Sequence, residues 1–433
     1  MKKGTSLNNA IWIIGCKIFQ SLLALVVTML SARYLGPTGY GLINYAASIT
    51  AFVLPIMQLG LRSTLVQEFV NNPHREGEIL GTSLCMNILS AICCMIGISA
   101  FVSVANAGET DTLIVCALYS INLIFQALEM SQYWFQAKLL SKYTSLAMLF
   151  AYIVTSVYKI YLLAAGKSIY WFAIAQAIDF MIIAVTLLIM YRKIGEQKLS
   201  FSLKLGRKLL SKSRYYIVSS LMVTIFAQTD KIMLKLMMGD EVIGYYSAAV
   251  TCAGITGFVF SAIIDSMRPS VFESRKRSEN AFEDNMKLLY SLIIYLSLAQ
   301  CVFITLFSKL IVNVLYGSAY AATVPVLRIV VWYTTFSYMG PVRNIWILAE
   351  GKHSILWVIN CSGAVMNVIL NLVLIPWLGA NGAAIASLLS QLFTNVIVGF
   401  ILRPIRPNNA LMLAALNPKF IVRQVQKLVK RGG

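Results

Sequence analysis

Seven ionisable residues stand where a sequence this apolar has least reason to keep them. Lys17, Lys159, Lys231, Arg328, Arg343, Asp179 and Asp230 all fall inside long apolar runs. A charge at the centre of an isolated membrane helix costs about 2.5–3.5 kcal/mol, so such groups face a bundle interior, pair with one another or reach an interface. Cations held there can line a cavity, and a carboxylate can take up and release H⁺ or Na⁺. Lys17, Lys159, Lys231 and Arg343 are therefore the candidate cavity cations, while Arg328, at the edge of its run, suits an interface. Asp179, near the middle of its run with Gln176 on the same face, and Asp230 are the candidate ion-coupling residues. Asp230 and Lys231 are sequential, hence about 100° apart on a helix, and do not share one face. Asp265, with Arg268 three residues on, and Glu129 suit ordinary interfacial positions. Pro55 and Pro341 are candidate hinges or gates, because proline frees backbone groups and favours a kink.

Other chemistries find little to work with. Eight cysteines all lie in apolar stretches with no C-x-x-C pair, and the two histidines, His74 and His353, sit in polar connectors. No metal site, nucleophile–base pair or phosphate loop emerges, so the expectation is a protein that is not an enzyme and has no cofactor beyond a coupling H⁺ or Na⁺.

The elements that position these groups follow from composition. Of 433 residues, 58% are apolar and 12% charged, against about 45–50% and about 25% in a soluble domain. This predicts an all-α polytopic membrane protein. Twelve runs reach the roughly 20 residues needed to span a bilayer: 10–32, 41–61, 79–101, 112–130, 143–164, 169–191, 214–237, 243–267, 288–307, 326–348, 354–375 and 382–402. Of the 36 Lys and Arg, 27 fall in connectors on one side, while Arg33, Lys167, Lys235 and Lys309 fall in those on the other. By the positive-inside rule both termini are cytoplasmic, and the net charge of +19 reports topology, not a nucleic-acid partner. Tyr133, Trp134, Tyr170 and Trp171 suit interfacial belts.

The expected organisation is an N-terminal six-helix lobe (1–191), a basic cytoplasmic linker (192–213), a C-terminal six-helix lobe (214–403) and a basic cytoplasmic tail (404–433). Leu203, Leu205, Leu209 and Leu210 alternate with Lys204, Arg207 and Lys208, which suits a short interfacial helix. Phe420, Ile421, Val425, Leu428 and Val429 place the tail on the inner leaflet in the same way. An internal repeat supports two halves: at an offset of 203, Gly36 falls on Gly239, Gly41 on Gly244 and Ala46 on Ala249. Six helices between copies mean a parallel duplication.

Four segments resemble the polysaccharide flippases that export lipid-linked O-antigen and capsule repeat units: A-R-Y-L-G-P-T-G-Y-G (32–41), Y-W-F-Q-A-K (133–138), T-D-K-I-M-L with G-D-E-V-I-G-Y-Y-S-A-A (229–249), and L-G-A-N-G-A-A-I-A (378–386). The resemblance spans nearly the whole chain. It implies the fold of the lipid II flippase and the multidrug antiporters, two six-helix lobes around a central cavity with alternating access. It implies an undecaprenyl-diphosphate-linked oligosaccharide as substrate, the bacterial inner membrane as location, and polysaccharide polymerase and chain-length proteins as further partners. The pyrophosphate would meet the cations named above, with H⁺ or Na⁺ coupling through Asp179 or Asp230. A multidrug or cation antiporter would share the architecture but prefers acidic pockets. A membrane polymerase or ligase would need a sizeable outer loop.

Overall fold

In a bilayer every backbone N–H and C=O needs a partner inside the chain, so sequences with this pattern form helices. The computed structural model describes residues 3–418, with side chains from Phe19 onward except positions 22 and 63, and every regular element among them is helical. Nine of these helices are long and apolar enough to cross a membrane, or ten when the bent pair Asp240–Gly254 and Gly257–Arg277 counts as one span. All twelve expected spans lie on helices. The tallies differ because Lys3–Met57 holds the first two, turning at Gly36, and because Thr323–Ala349, 27 residues long, falls short in apolarity and not in length.

The chain forms two compact units, Met1–Gly244 and Tyr245–Gly433, so residues 192–213 lie inside the first. That connector is strapped down: Ser200 N donates to Gly77 O (3.2 Å), Gln197 Nε2 to Pro73 O (2.9 Å) and Ser202 N to Thr82 Oγ1 (3.0 Å). The expected interfacial helix is instead the start of the continuous Leu203–Met238 helix. Ser202 caps it by accepting from Leu205 N, and Leu205 and Leu209 bury themselves in the core of the unit.

In that core the expected belt residues Tyr133 and Trp134 are buried. Trp134 packs edge-on against Phe135 and Tyr191, both at 4.9 Å between centroids, and its Nε1 donates to Glu76 Oε2 at 2.7 Å. Lys138 closes on the other Glu76 oxygen at 2.6 Å. The Y-W-F-Q-A-K segment is thus a plug built around one buried carboxylate. Trp171, by contrast, is exposed as a belt residue should be.

The second unit has its own core around Phe260, Met286, Tyr290 and Trp346. The first part of the tail docks into it: Arg406–Ala414 is helical, and Tyr290 donates to Asn408 Oδ1 at 2.9 Å. Phe420, Ile421, Val425, Leu428 and Val429 lie outside the described residues.

The repeat is written in the backbone. Gly36 has φ 67°, ψ 176° and Gly239 has φ 92°, ψ −176°, the same extended left-handed conformation, which L side chains rarely adopt. Gly108 and Gly317, then Gly166 and Gly379, supply the positive φ at the next corresponding turns. Gly41 and Gly244 are also equivalent in packing. A Cβ on Gly41 would lie 1.8 Å from Asp240 O, and one on Gly244 2.0 Å from Pro37 O. Residues 37 and 240 are themselves 203 apart, so the two contacts are one contact made twice with the roles exchanged.

Candidate functional site

Asp179, on the Ile169–Ile194 helix, accepts from Thr155 Oγ1 at 3.3 Å. Thr155 lies one turn before Lys159 on Ser141–Ala164, and Lys159 and Asp179 act on each other electrostatically. A candidate cavity cation and a candidate coupling residue are therefore neighbours. Glu129 joins them, buried and not interfacial as expected, accepting from Gln132 Nε2 at 3.1 Å and lying within the influence of Arg62 and Asp179. Asp265 and Arg268 do form the exposed pair their spacing suggested, at 3.2 Å.

On Leu203–Met238, Asp230 is buried and Lys231 half-buried, and the carboxylate acts on its neighbouring ammonium despite the angle between them. Lys17 lies outside the described side chains. Pro55 and Pro341 are both carried within helices, and in Lys3–Met57 the backbone leaves helical geometry at Gly36 and not at Pro55.

Arg343, in the second unit, is 5% exposed and held by neutral oxygens. Its Nη1 donates to Thr394 O (2.7 Å) and Asn395 Oδ1 (3.0 Å), and Nη2 to Asn344 Oδ1 (3.0 Å). Thr394 and Asn395 lie in a π-helical turn, Phe393–Ile397. Such turns widen the helix and change its hydrogen-bond ladder, and Arg343 donates to one of the carbonyls there. Its Nε is buried without a partner among the described residues. Arg328 is partly satisfied, donating from Nε to Ser308 Oγ at 2.9 Å.

Sequence reasoning placed Lys235 in a connector; it is instead on the last turn of Leu203–Met238 with its side chain 2% exposed. Its ammonium bridges Glu109 Oε2 (2.6 Å) and Asp240 Oδ2 (2.7 Å). Around it, Thr112 Oγ1 donates to Glu109 (2.7 Å), Tyr45 donates to Asn106 Oδ1 (2.7 Å), and the Tyr45 ring lies 5.9 Å from the ammonium. The signal was available: a lysine one turn before a glycine stop, followed at once by Asp240, puts a cation at one helix C-terminus and a carboxylate at the next N-terminus, where the dipoles favour both.

Glu109, in the turn between two spans, is 46% exposed. Partial burial works to raise its carboxyl pKa, but hydrogen bonds from Lys235 and Thr112 outweigh that and hold it below the ordinary carboxylate value. A depressed folded-state pKa gives stability that is complete above the ordinary carboxylate range and is lost as pH falls through the lowered value. The melting-temperature difference between the native chain and Glu109→Gln is therefore expected to shrink on acidification through that window. A difference independent of pH would remove the ion pair as its cause.

Residues 6–275 match the family model described as polysaccharide biosynthesis protein. Over 231 residues the chain is 29% identical to a membrane protein of Methanocaldococcus jannaschii, a stretch covering 50% of this chain and 45% of that relative. It is 20% identical over 401 residues to a Shigella flexneri protein named as an O-antigen transporter, covering 88% of this chain and 93% of that one. Among solved structures, the lipid II flippase MurJ in an inward closed conformation superposes with a TM-score of 0.74 at 16% identity, covering 94% of this chain and 91% of that one. The fold is that of the flippases and multidrug transporters.

Proposed function

This chain belongs to the polysaccharide biosynthesis protein family, and from that premise we propose that it is a flippase for lipid-linked oligosaccharide repeat units. The substrate in this reading is an undecaprenyl-diphosphate-linked oligosaccharide, moved by alternating access from the cytoplasmic to the outer leaflet of a bacterial inner membrane, with both termini cytoplasmic. The protein forms and breaks no covalent bond. Its work is to lower the cost of taking a pyrophosphate through an apolar core, and that requires cations.

The observation that supports this best is Arg343, buried in an apolar unit with hydrogen-bond partners that are all neutral. A carboxylate would cancel its charge. Neutral oxygens orient the guanidinium and leave that charge available to an anion. Lys159 and Lys231 add to it, and Lys17 completes the set. H⁺ or Na⁺ coupling falls to Asp179, which sits beside Lys159, or to Asp230 beside Lys231.

The test is translocation of lipid-linked oligosaccharide by the purified chain in proteoliposomes. Changing Lys17, Lys159, Lys231 and Arg343 together to methionine is expected to abolish translocation. Because Arg343 also supports the π turn, the Lys159→Met, Lys231→Met double variant serves as the folded control and is expected to be strongly impaired. Full translocation by both would end the cationic-pathway reading. Ion-driven efflux of a small organic cation, with no lipid-linked sugar moved, would place the chain among the antiporters.

A further inference from the structure

The tail of the second unit reaches Arg343 through hydrogen bonds made by two adjacent asparagines. Asn408 and Asn409 lie on the Arg406–Ala414 helix, and both are buried. Asn409 Nδ2 donates to Val396 O at 2.7 Å. Val396 belongs to the same π turn, Phe393–Ile397, whose Thr394 carbonyl and Asn395 side-chain oxygen receive Arg343. The turn is therefore held on two sides, by the guanidinium from Thr323–Ala349 and by the amide from the tail. Asn408 Oδ1 accepts from Tyr290, and Tyr290 and Arg343 act on each other electrostatically.

Docking alone does not call for these amides. Leu411, Met412 and Ala415 already seat the tail in the core with Met286 and Trp346, as Leu205 and Leu209 seat the start of Leu203–Met238 in the first unit. Asn408 Nδ2 and Asn409 Oδ1 are buried with no partner among the described residues, so each side chain has half its capacity unmet. An unmet buried polar atom opposes folding, and a leucine at either place would avoid it. Space has nonetheless been kept for one of them. A Cβ on Gly399, in the adjoining Val398–Ile401 helix, would lie 2.1 Å from Asn409 Oδ1 and 2.5 Å from its Nδ2. What the amide supplies is position. A π turn is a rare winding beside the α-helix that the same residues could form. Rewinding would carry Thr394 O and Asn395 away from Arg343, and the bond to Val396 O opposes it.

We propose that Asn409 is a positioning residue for Arg343, acting through the π turn, while Asn408 holds Tyr290 beside it. This deepens the flippase reading and rests on it for its purpose, since it names what keeps that guanidinium aimed. The tail helix is thus part of the support of the site and not only a covering for the core.

The test uses the full-length chain in nanodiscs and reads two rates by mass spectrometry, phenylglyoxal modification of Arg343 and amide hydrogen exchange over residues 393–399. Asn409→Leu keeps the bulk and removes the donor. It is expected to raise both rates by about tenfold without lowering the melting temperature, because an unmet polar atom leaves with the amide. Gly399→Ala keeps Asn409 but drives its side chain off Val396 O, and the same two signals are expected from it. Tyr295→Phe is the control. It removes a different tail bond, from the Tyr295 hydroxyl to Leu416 O at 2.7 Å, and should leave both rates native. A merely structural role for Asn409 would instead lower the melting temperature of Asn409→Leu and speed exchange throughout the unit. That pattern, native rates in both Asn409→Leu and Gly399→Ala, or an equal effect of Tyr295→Phe would each overturn the positioning role. Inorganic pyrophosphate is added in a separate arm. If it fails to slow modification of Arg343 in the native chain, the anion role of Arg343 falls while positioning by Asn409 stands. Protection by pyrophosphate, with both variants at native rates, does the reverse.

Discussion

Lys235→Met is expected to cost the protein more stability than removal of any other single charge in the first unit. The ammonium is almost fully enclosed and holds two carboxylates at once. Taking away one member of a buried ion pair costs about 3–5 kcal/mol, because the charges left behind keep their desolvation penalty and lose its compensation. Glu109 is nearly half open to solvent and relaxes into it, so a value near the lower end is expected. Asp240 cannot relax so easily, since its other oxygen, Oδ1, is buried without a partner among the described residues. Adding Asp240→Asn to Lys235→Met should therefore recover part of the loss, and a thermal-melting cycle over the two substitutions should show coupling. If Lys235→Met melts with the native chain, the triad is a crystal-clear geometry without energetic weight, and the assignment fails.

Gly41→Ala and Gly244→Ala are the second large effect, and each is expected to mimic the other. Either methyl would enter a backbone carbonyl at about half the normal contact distance, 1.8 Å to Asp240 O and 2.0 Å to Pro37 O, and a carbonyl in a helix cannot swing aside as a side chain can. Overpacking commonly costs about 1–3 kcal/mol and more where backbone must move. Gly254→Ala is the control, because nothing lies within 4 Å of the position its Cβ would take. A substantial drop in melting temperature for both close-packed glycines, with none for Gly254, is the expected pattern. Tolerance of Gly41→Ala beside intolerance of Gly244→Ala would show that the reciprocity of the two contacts is accidental.

Much of the architecture was legible because the bilayer imposes a single arithmetic on apolar run length, and all twelve runs became helices. The repeat was legible for the same kind of reason: Gly36 and Gly239 mark a backbone conformation that other residues avoid, so a fixed offset between glycines carried structural information. What the sequence concealed were partnerships. Lys235 and Glu109 lie 126 residues apart, and no local pattern joins them. Trp134 carried the composition of an interfacial aromatic, yet Glu76, 58 residues away, draws its indole N–H into a core. The Leu203–Leu210 stretch has the pattern of a surface helix, and only the Ser202 cap and the pocket waiting for Leu205 and Leu209 make it the start of a span. Of the ionisable groups, Asp179 and Lys159 were found singly, and their pairing through neighbouring helices was not.

The same 126-residue separation has a consequence for how the protein is made. A ribosome adding about 5–20 residues per second needs about 6–25 s to go from Glu109 to Lys235. During that interval the fourth, fifth and sixth spans are completed while Glu109 still lacks its ammonium. A nascent chain stopped after the sixth span would therefore be an unfinished object and not a free-standing half. Completion of the first unit waits on a helix that the duplication assigns to the second.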